Sequence, residues 1–341
     1  MVDRGELRLT YPPFTIADMD PVLTRIDVEA DQPESLTIRW EPPYDTDVEI
    51  GIGPTPDAAA HTPVLRVPAG ESSALLTGVG TGRHYVSVSY DGTRLVAAER
   101  RIRFVGTLNF RDLGGYPTAS GGSTRWGLLY RSSSLHRLTA DDLTAFDGLG
   151  VRTIFDLRRD DEREQEPGPR PARGLPMPTR FTDVPDLSGL RERVDGERWL
   201  FDEYQVMLAQ GGPVFGTLLT ALAEADGTPA VFHCAGGKDR TGISAALLLT
   251  WLGVDRETVL DDYELTGRFQ SAEHVPEVVD IIVGLGVTRP AAEGMLSSPR
   301  WAMAEALDQL DNDYGGIETY LRGPAGMTDA ALADLHSRFV V

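Results

Sequence analysis

The sequence predicts two domains: a small β-sandwich over residues 1–105, then an α/β domain over residues 106–341. Three observations carry this. Up to about residue 105, short runs alternate apolar and polar side chains and are broken by proline and glycine; beyond it, apolar strand-like runs alternate with helical patterns. A length of 341 residues suits two domains, or one large one, at about 150 residues each. Residues 231–242, VFHCAGGKDRTG, place a glycine-rich turn between a short apolar run and a long helical one.

In the first domain the strand candidates are residues 35–40, 48–50, 63–67, 85–90 and 95–104. Asp91-Gly92 between two such runs predicts a hairpin. The glycines of Gly51-Ile52-Gly53 are followed by Pro54 and Pro56, which predicts a turn and no helix there, hence no nucleotide loop. The domain boundary is expected near residues 103–106.

In the second domain, Arg111-Asp112 reads as a local charge pair before a Gly-Gly turn, either bracing a functional loop or closing a surface turn. Residues 126–132 form a strand entering a loop, where Arg131 and the serines bind anions or are simply solvated. Thr139 and Asp142 make a capping box for a helix that Gly150 ends. Residues 151–157 are a buried strand with Asp156 and Arg158 at its C-terminal end, where open α/β sheets bind ligands. Residues 159–166 are a solvated charge run. Residues 167–189, rich in proline, predict a long loop of the kind that forms lids, and contain Asp183 and Asp186. Helices are expected at 197–208, 216–225, 243–252 and 255–265. Residues 269–299 are a mixed segment, read as a packing helix pair or a lid, and terminal helices follow, the last capped by Thr328-Asp329.

Chemistry concentrates in residues 231–242. Cys234 is the only cysteine, and Arg240 follows six positions later. The first N–H groups of a helix lack intrahelical partners, so a strand–turn–helix start is an anion site. A thiol there ionises readily: its pKa of about 8.5 falls to about 3.5–7.5 near helix N-termini and cations. Arg240 offers a planar fork for two phosphate oxygens. Cys234 as nucleophile, with Arg240 and the amides of Ala235, Gly236, Gly237, Lys238, Thr241 and Gly242 around the anion, predicts phosphoryl transfer from a monoester. The Thr241 hydroxyl would donate to the Cys234 thiolate, and His233 would order the loop. Lys238, Arg240 and Arg158 would form a local basic pocket.

These residues resemble the signature of the cysteine-dependent tyrosine phosphatases: His, Cys, five residues, Arg, Thr, Gly. The form HCAGGKDRTG is most similar to bacterial tyrosine phosphatases that also accept phosphoinositides, and the elements Asn109-Phe110-Arg111-Asp112-Leu113-Gly114-Gly115, Asp156-Leu157-Arg158 and residues 314–321 resemble further stretches of that group. The resemblance implies a central mixed sheet flanked by helices, and a general acid at Asp239 first and Asp156 second. Asp183 or Asp186 would serve if a mobile acid loop exists. It also implies that Arg111 and Asp112 brace the loop as a second layer. Residues 36–43, LTIRWEPP, resemble a strand of the fibronectin type III family, with Trp40 in the core.

The expected substrate is a phosphotyrosine protein or a small phosphomonoester, with a phosphoinositide as the alternative. The rivals are a phospho-ligand binding module and a thiol redox protein; the latter lacks a resolving cysteine. No cofactor and no metal site are expected, the six histidines being scattered. A net charge of −20 argues against nucleic acid and anionic membranes as partners. No apolar stretch reaches membrane-spanning length. One cysteine and a first segment, MVDRGELRLTYPP, without an apolar signal core lead to a cytoplasmic expectation. Oligomeric state is open.

Overall fold

The structure is a computed structural model that describes residues 25–30, 34–41, 43–59, 63–80, 82–178, 187, 189–270 and 275–341. Asp183 and Asp186 lie outside the described residues. The chain divides into two compact units, Met1–Arg100 and Arg101–Val341.

The first unit contains β1 (Arg25–Glu29), β2 (Ser35–Glu41), β3 (Val48–Gly53), α1 (Pro56–Ala59), β4 (Pro63–Val67), β5 (Ser73–Thr77), β6 (Tyr85–Tyr90) and β7 (Thr93–Ala98). They form two antiparallel sheets, ordered β1-β2-β5 and β4-β3-β6-β7. Alternation puts Ile38 and Trp40 of β2 inside with Ile50, Val86 and Val88 of the other sheet, in one apolar cluster. Asp91 and Gly92 take φ of 43° and 77° and turn β6 into β7, the mirror-image turn that matches strand twist. The expected turn at Gly51–Gly53 is corrected: these residues end β3, and a one-turn helix follows them. Pro56 is the first residue of that helix, where a missing N–H costs nothing. A Cβ on Gly53 would lie 2.5 Å from the Ala59 nitrogen, so glycine lets α1 fold back on the strand.

The second unit contains β8 (Arg111–Asp112), β9 (Leu129–Ser132), α2 (Ala140–Gly148), β10 (Thr153–Asp156), α3 (Asp160–Gln165), β11 (Arg173–Gly174), α4 (Arg193–Gln210), α5 (Gly212–Ala223) and β12 (Ala230–His233). After these come α6 (Asp239–Trp251), α7 (Arg256–Phe269), α8 (Pro276–Gly284), α9 (Arg289–Leu296), α10 (Arg300–Tyr314), α11 (Ile317–Arg322) and α12 (Asp329–Phe339). The strands form one sheet, β11-β10-β12-β9-β8, parallel except for β8. This is a central mixed sheet flanked by helices.

β12 is buried along its whole length, so its sequence AVFH is a continuous apolar run ending in a histidine. Successive side chains face opposite ways. Phe232, Phe155 and Leu129 join the large core under α4–α12. Val231, Ile154 and Tyr130 join a smaller one with Phe104, Phe110 and Phe146 of α2. α2 starts as its sequence predicts: the Thr139 side chain accepts from the Asp142 N–H, and Asp142 accepts from the Thr139 N–H at 3.0 Å. Within the loop expected at 167–189, Arg173 and Gly174 add a two-residue edge strand, β11, pairing beside Phe155 and Asp156. Asp156, His233 and Ser132 stand level in the register, so three parallel strands end together at one edge of the sheet. Among the described residues no single helix is long and apolar enough to cross a membrane.

Candidate active site

At that edge the chain leaves β12 at His233, turns through residues 234–238 and enters α6 at Asp239. Cys234 is 2% exposed at the head of the turn. Among the described residues nothing accepts from the N–H groups of Ala235, Gly236, Gly237 or Lys238. Gly237 and Lys238 are buried, Gly236 is half-buried and Ala235 is exposed. Buried amides without partners are rare, so the turn is suited to an anion.

The loop's carbonyls, by contrast, are taken up from behind. The Gly237 carbonyl accepts from Asn109 Nδ2 at 2.9 Å and from an Arg131 terminal nitrogen at 2.8 Å; Asn109 Nδ2 also lies 3.4 Å from the Gly236 carbonyl. In a trans peptide the C=O and the next N–H point in opposite directions, so pulling these carbonyls back turns the N–H groups of Gly237 and Lys238 forward. Gly237 has φ of +63°, and a Cβ there would lie 2.3 Å from the Ser132 carbonyl oxygen. Only glycine fits.

The backing itself hangs on Asp262 of α7. Its carboxylate accepts from Arg111 Nε at 2.9 Å, from Arg131 at 2.6 Å and from the Tyr116 hydroxyl at 2.8 Å. Burial would raise this carboxyl; the charges of Arg111 and Arg131 overturn that and hold it far below the usual carboxylate range. Arg111 also donates to Asn109 Oδ1 and to Thr266. The expected local pair Arg111-Asp112 is thereby corrected. Neighbouring strand residues face opposite ways, and Asp112 instead accepts from the N–H groups of Gly114 at 2.7 Å and Gly127 at 2.8 Å. Arg131, read as an anion binder or a solvated residue, is neither: it is fully buried on Asp262 and the Gly237 carbonyl.

On the front of the loop, Arg240 is gripped by Glu162 of α3, at 2.6 and 3.1 Å from its two terminal nitrogens. Its Nε–H has no acceptor among the described residues, which leaves one edge of the fork for a ligand. Glu162 also accepts from the Arg159 N–H at 2.8 Å. Its carboxyl sits below the usual range because Arg240 outweighs the effect of burial. The charge run 159–166 therefore holds a site residue, not only solvated ones.

Lys238 turns inward, 2.7 Å from Asp239 Oδ1 and 3.1 Å from the Met295 carbonyl of α9. Asp239 Oδ1 accepts in addition from the Tyr204 hydroxyl at 2.8 Å. Asp156 and Arg158 are closed on each other: Arg158 Nε lies 3.0 and 3.2 Å from the two carboxylate oxygens and its terminal nitrogen 2.7 Å from one. The remaining Arg158 nitrogen donates to the Glu166 carbonyl at 3.1 Å. Burial would raise the Asp156 carboxyl, but the Arg158 bonds bring it down. A carboxylate held ionised by its own guanidinium is poorly suited to give a proton, and that guanidinium is not free for phosphate. The expectations for Asp156 and Arg158 are corrected on this ground.

His233 is buried, with Nδ1 3.2 Å from the Cys234 carbonyl oxygen and Nε2 3.7 Å from Asp156. Burial, ahead of its neighbours' charges, lowers its imidazole pKa. Gly242 donates its N–H to the Lys238 carbonyl at 2.7 Å in the first turn of α6. The Thr241 hydroxyl, expected on the Cys234 sulfur, is buried with no hydrogen-bond partner in this arrangement.

Sequence reasoning did not find Asn109 as a loop ligand, nor Asp262, Glu162, Tyr204 or Tyr263. A signal existed for Asp262. It lies three residues after Val259 and four before Thr266, on the buried stripe of α7, where a lone carboxylate demands a partner.

An α/β unit that aims unpartnered amides, a cysteine and an arginine at one point defines a class of anion-handling enzymes, and comparison with known proteins gives the class its name. The chain belongs to the tyrosine phosphatase family, whose profile matches residues 102–341. It is 29% identical over 270 residues to the triple specificity protein phosphatase PtpB of Mycobacterium tuberculosis, covering 67% of this chain and 94% of the relative. A tyrosine-protein phosphatase of Nostoc commune is 29% identical over 220 residues, covering 61% of this chain and 72% of that protein. The crystal structure of TpbA from P. aeruginosa is 22% identical over 51% of this chain and 89% of its own, with a TM-score of 0.28, too low to bear on the assignment. The second unit is thus an enzyme of the tyrosine- or dual-specificity-phosphatase type.

Proposed function

We propose that the chain hydrolyses phosphate monoesters, phosphotyrosine proteins first among them, through a phosphorylated Cys234. The observation that carries this reading is the row of unpartnered amides, Ala235 to Lys238, beside Cys234 and the open edge of Arg240. The Cys234 thiolate attacks phosphorus. The bond to the ester oxygen breaks, and that oxygen leaves with the electron pair and a proton from Asp239. Loop amides and Arg240 stabilise the equatorial oxygens. Water then attacks the phosphocysteine, releasing phosphate and the thiolate. Asn109 and Arg131 keep the amides aimed, and Glu162 keeps Arg240 in place. Thr241, buried without a partner, is suited to meet the thiolate once the phosphoryl group leaves.

The mycobacterial relative is named for three specificities. Here Lys238 is occupied by Asp239 and Met295 and offers no spare cation for a polyphosphorylated head group, so protein and small monoesters rank ahead of phosphoinositides. Residues 1–105 are proposed as a fibronectin type III-like accessory sandwich and residues 106–341 as the catalytic domain. The test is turnover of 4-nitrophenyl phosphate, phosphotyrosine and phosphoserine peptides and inositol lipids by the wild type and by Cys234→Ser. The expected result is preference for phosphotyrosine and a loss on the order of 10³–10⁶-fold in the variant. Full activity in the variant rejects the reading; binding without turnover by the wild type makes the protein a phospho-ligand binding module.

A further inference from the structure

Two buried tyrosines stand behind Asp239 with no part in the reaction so far. Tyr204 of α4 is fully buried and donates to Asp239 Oδ1 at 2.8 Å. Tyr263 of α7 is 1% exposed, and its hydroxyl lies 2.6 Å from that of Tyr204, with the rings edge-on at 6.2 Å. A phenol has one O–H to give. Tyr204 spends its own on the carboxylate, so Tyr263 is the donor between the two rings. The chain therefore runs one way, from Tyr263 to Tyr204 to Asp239. Burial first, and then the Asp239 charge, hold both phenols well above their ordinary pKa, so both remain neutral donors.

The two carboxylate oxygens of Asp239 are thus unlike. Oδ1 carries two donors, Tyr204 and Lys238. Oδ2 has no partner among the described residues, and the side chain is 29% exposed. Resting on the reading of Asp239 as general acid, we infer that Tyr204, backed by Tyr263, is a positioning residue that locks Oδ1 and leaves Oδ2 to carry the transferred proton. As the P–O bond breaks, the Oδ2 proton passes to the leaving oxygen and negative charge grows on the carboxylate. The Tyr204 bond strengthens with that charge, so it favours the transition state over the ground state.

The groups facing Asp239 are Lys238 and Arg240 on its own segment, Tyr204 from α4 and Tyr263 from α7, the last also feeling Arg131 and Glu197. Tyr204 donates more strongly to the ionised carboxylate than to the neutral acid, so removing its hydroxyl disfavours the ionised form. The basic limb of kcat/KM then moves to higher pH.

The experiment measures kcat/KM against pH for the full chain and for Tyr204→Phe, Tyr263→Phe and Asp239→Asn. Phenyl phosphate serves as the poor leaving group and 4-nitrophenyl phosphate as the good one. Tyr204→Phe is expected to lose about 10-fold with phenyl phosphate, less than about 3-fold with 4-nitrophenyl phosphate, and to raise the basic limb by about half to one pH unit. Tyr263→Phe shifts the limb in the same direction by less, and provides a second reading should Tyr204→Phe fold poorly. Equal losses on both esters with an unmoved limb in both variants overturn the inference and reduce the tyrosines to packing. Asp239→Asn separates the two levels. If it keeps the basic limb, Asp239 is not the acid. If it loses the limb while both phenylalanine variants keep it at the wild-type pH, only the positioning role fails.

Discussion

The two sides of the loop 234–238 use the same chemistry, a guanidinium on a carboxylate, to opposite ends. Behind it, Arg111, Arg131 and Asp262 are sealed, with side chains no more than 1% exposed. In front, Arg240 and Glu162 are 11% and 21% exposed, and Lys238 and Asp239 are 8% and 29%. Ions out of water are tolerated when they are paired and hydrogen-bonded, and removing one partner strands the others. Among the described residues, Arg131 Nε alone of the nitrogens in these three groups is left without a partner. The back is therefore fixed, and its rigidity is passed to the loop through the Gly237 carbonyl. The front cations are buried too, but their carboxylates keep some solvent, so these pairs are less sealed than those behind. Burial, more than residue type, separates the scaffold from the chemistry.

That contrast breaks if the back pair is cheap to remove. Asp262→Asn strands Arg111 and Arg131, and is expected to cost about 3–5 kcal/mol in urea unfolding of the second unit. The Asp262 carboxyl is depressed in the fold, so its contribution is complete above the ordinary carboxylate pKa of about 3.9 and is lost as pH falls through the folded value. The gap between wild type and variant should hold steady from about pH 5 to 7 and narrow only in stronger acid. A gap below about 1 kcal/mol at neutral pH would make the back no different from the front.

Glu162→Gln sharpens the comparison from the other side. Its stability cost should be smaller than that of Asp262→Asn, about 1–2 kcal/mol, because Arg240 is buried while the carboxylate keeps some solvent. Activity should fall about 10-fold in kcat/KM, since Arg240 loses the carboxylate that aims its fork. A large stability loss with unchanged activity would assign Glu162 to the scaffold.

The division between legible and illegible features follows the same line. Thr139 and Asp142 cap α2 from three residues apart, and Asp91-Gly92 turns β6 into β7 between adjacent strands; both are local, and both were readable. The strand, turn and helix around Cys234 were readable for the same reason. The partners that hold the loop come from far away in the chain. Arg111 meets Asp262 across 151 positions, and Arg240 meets Glu162 across 78. Nothing in a local pattern joins such residues, so residues 159–166 read as solvated. Asp156 is a different case, since its partner Arg158 is two positions away and only the geometry shows that the two close on each other. The charge of Lys238 is answered by its neighbour Asp239, a local partner, and by a carbonyl on α9, a distant one that no local pattern reveals.

The central claim is that Cys234 itself receives the phosphoryl group. Acid quenching of the wild type during turnover of 4-nitrophenyl phosphate, followed by peptide mass analysis, tests this directly. The account predicts one phosphoryl group on the peptide containing Cys234, and none in Cys234→Ser. Undiminished hydrolysis with that cysteine unmodified, or continued turnover by the serine variant, would contradict it.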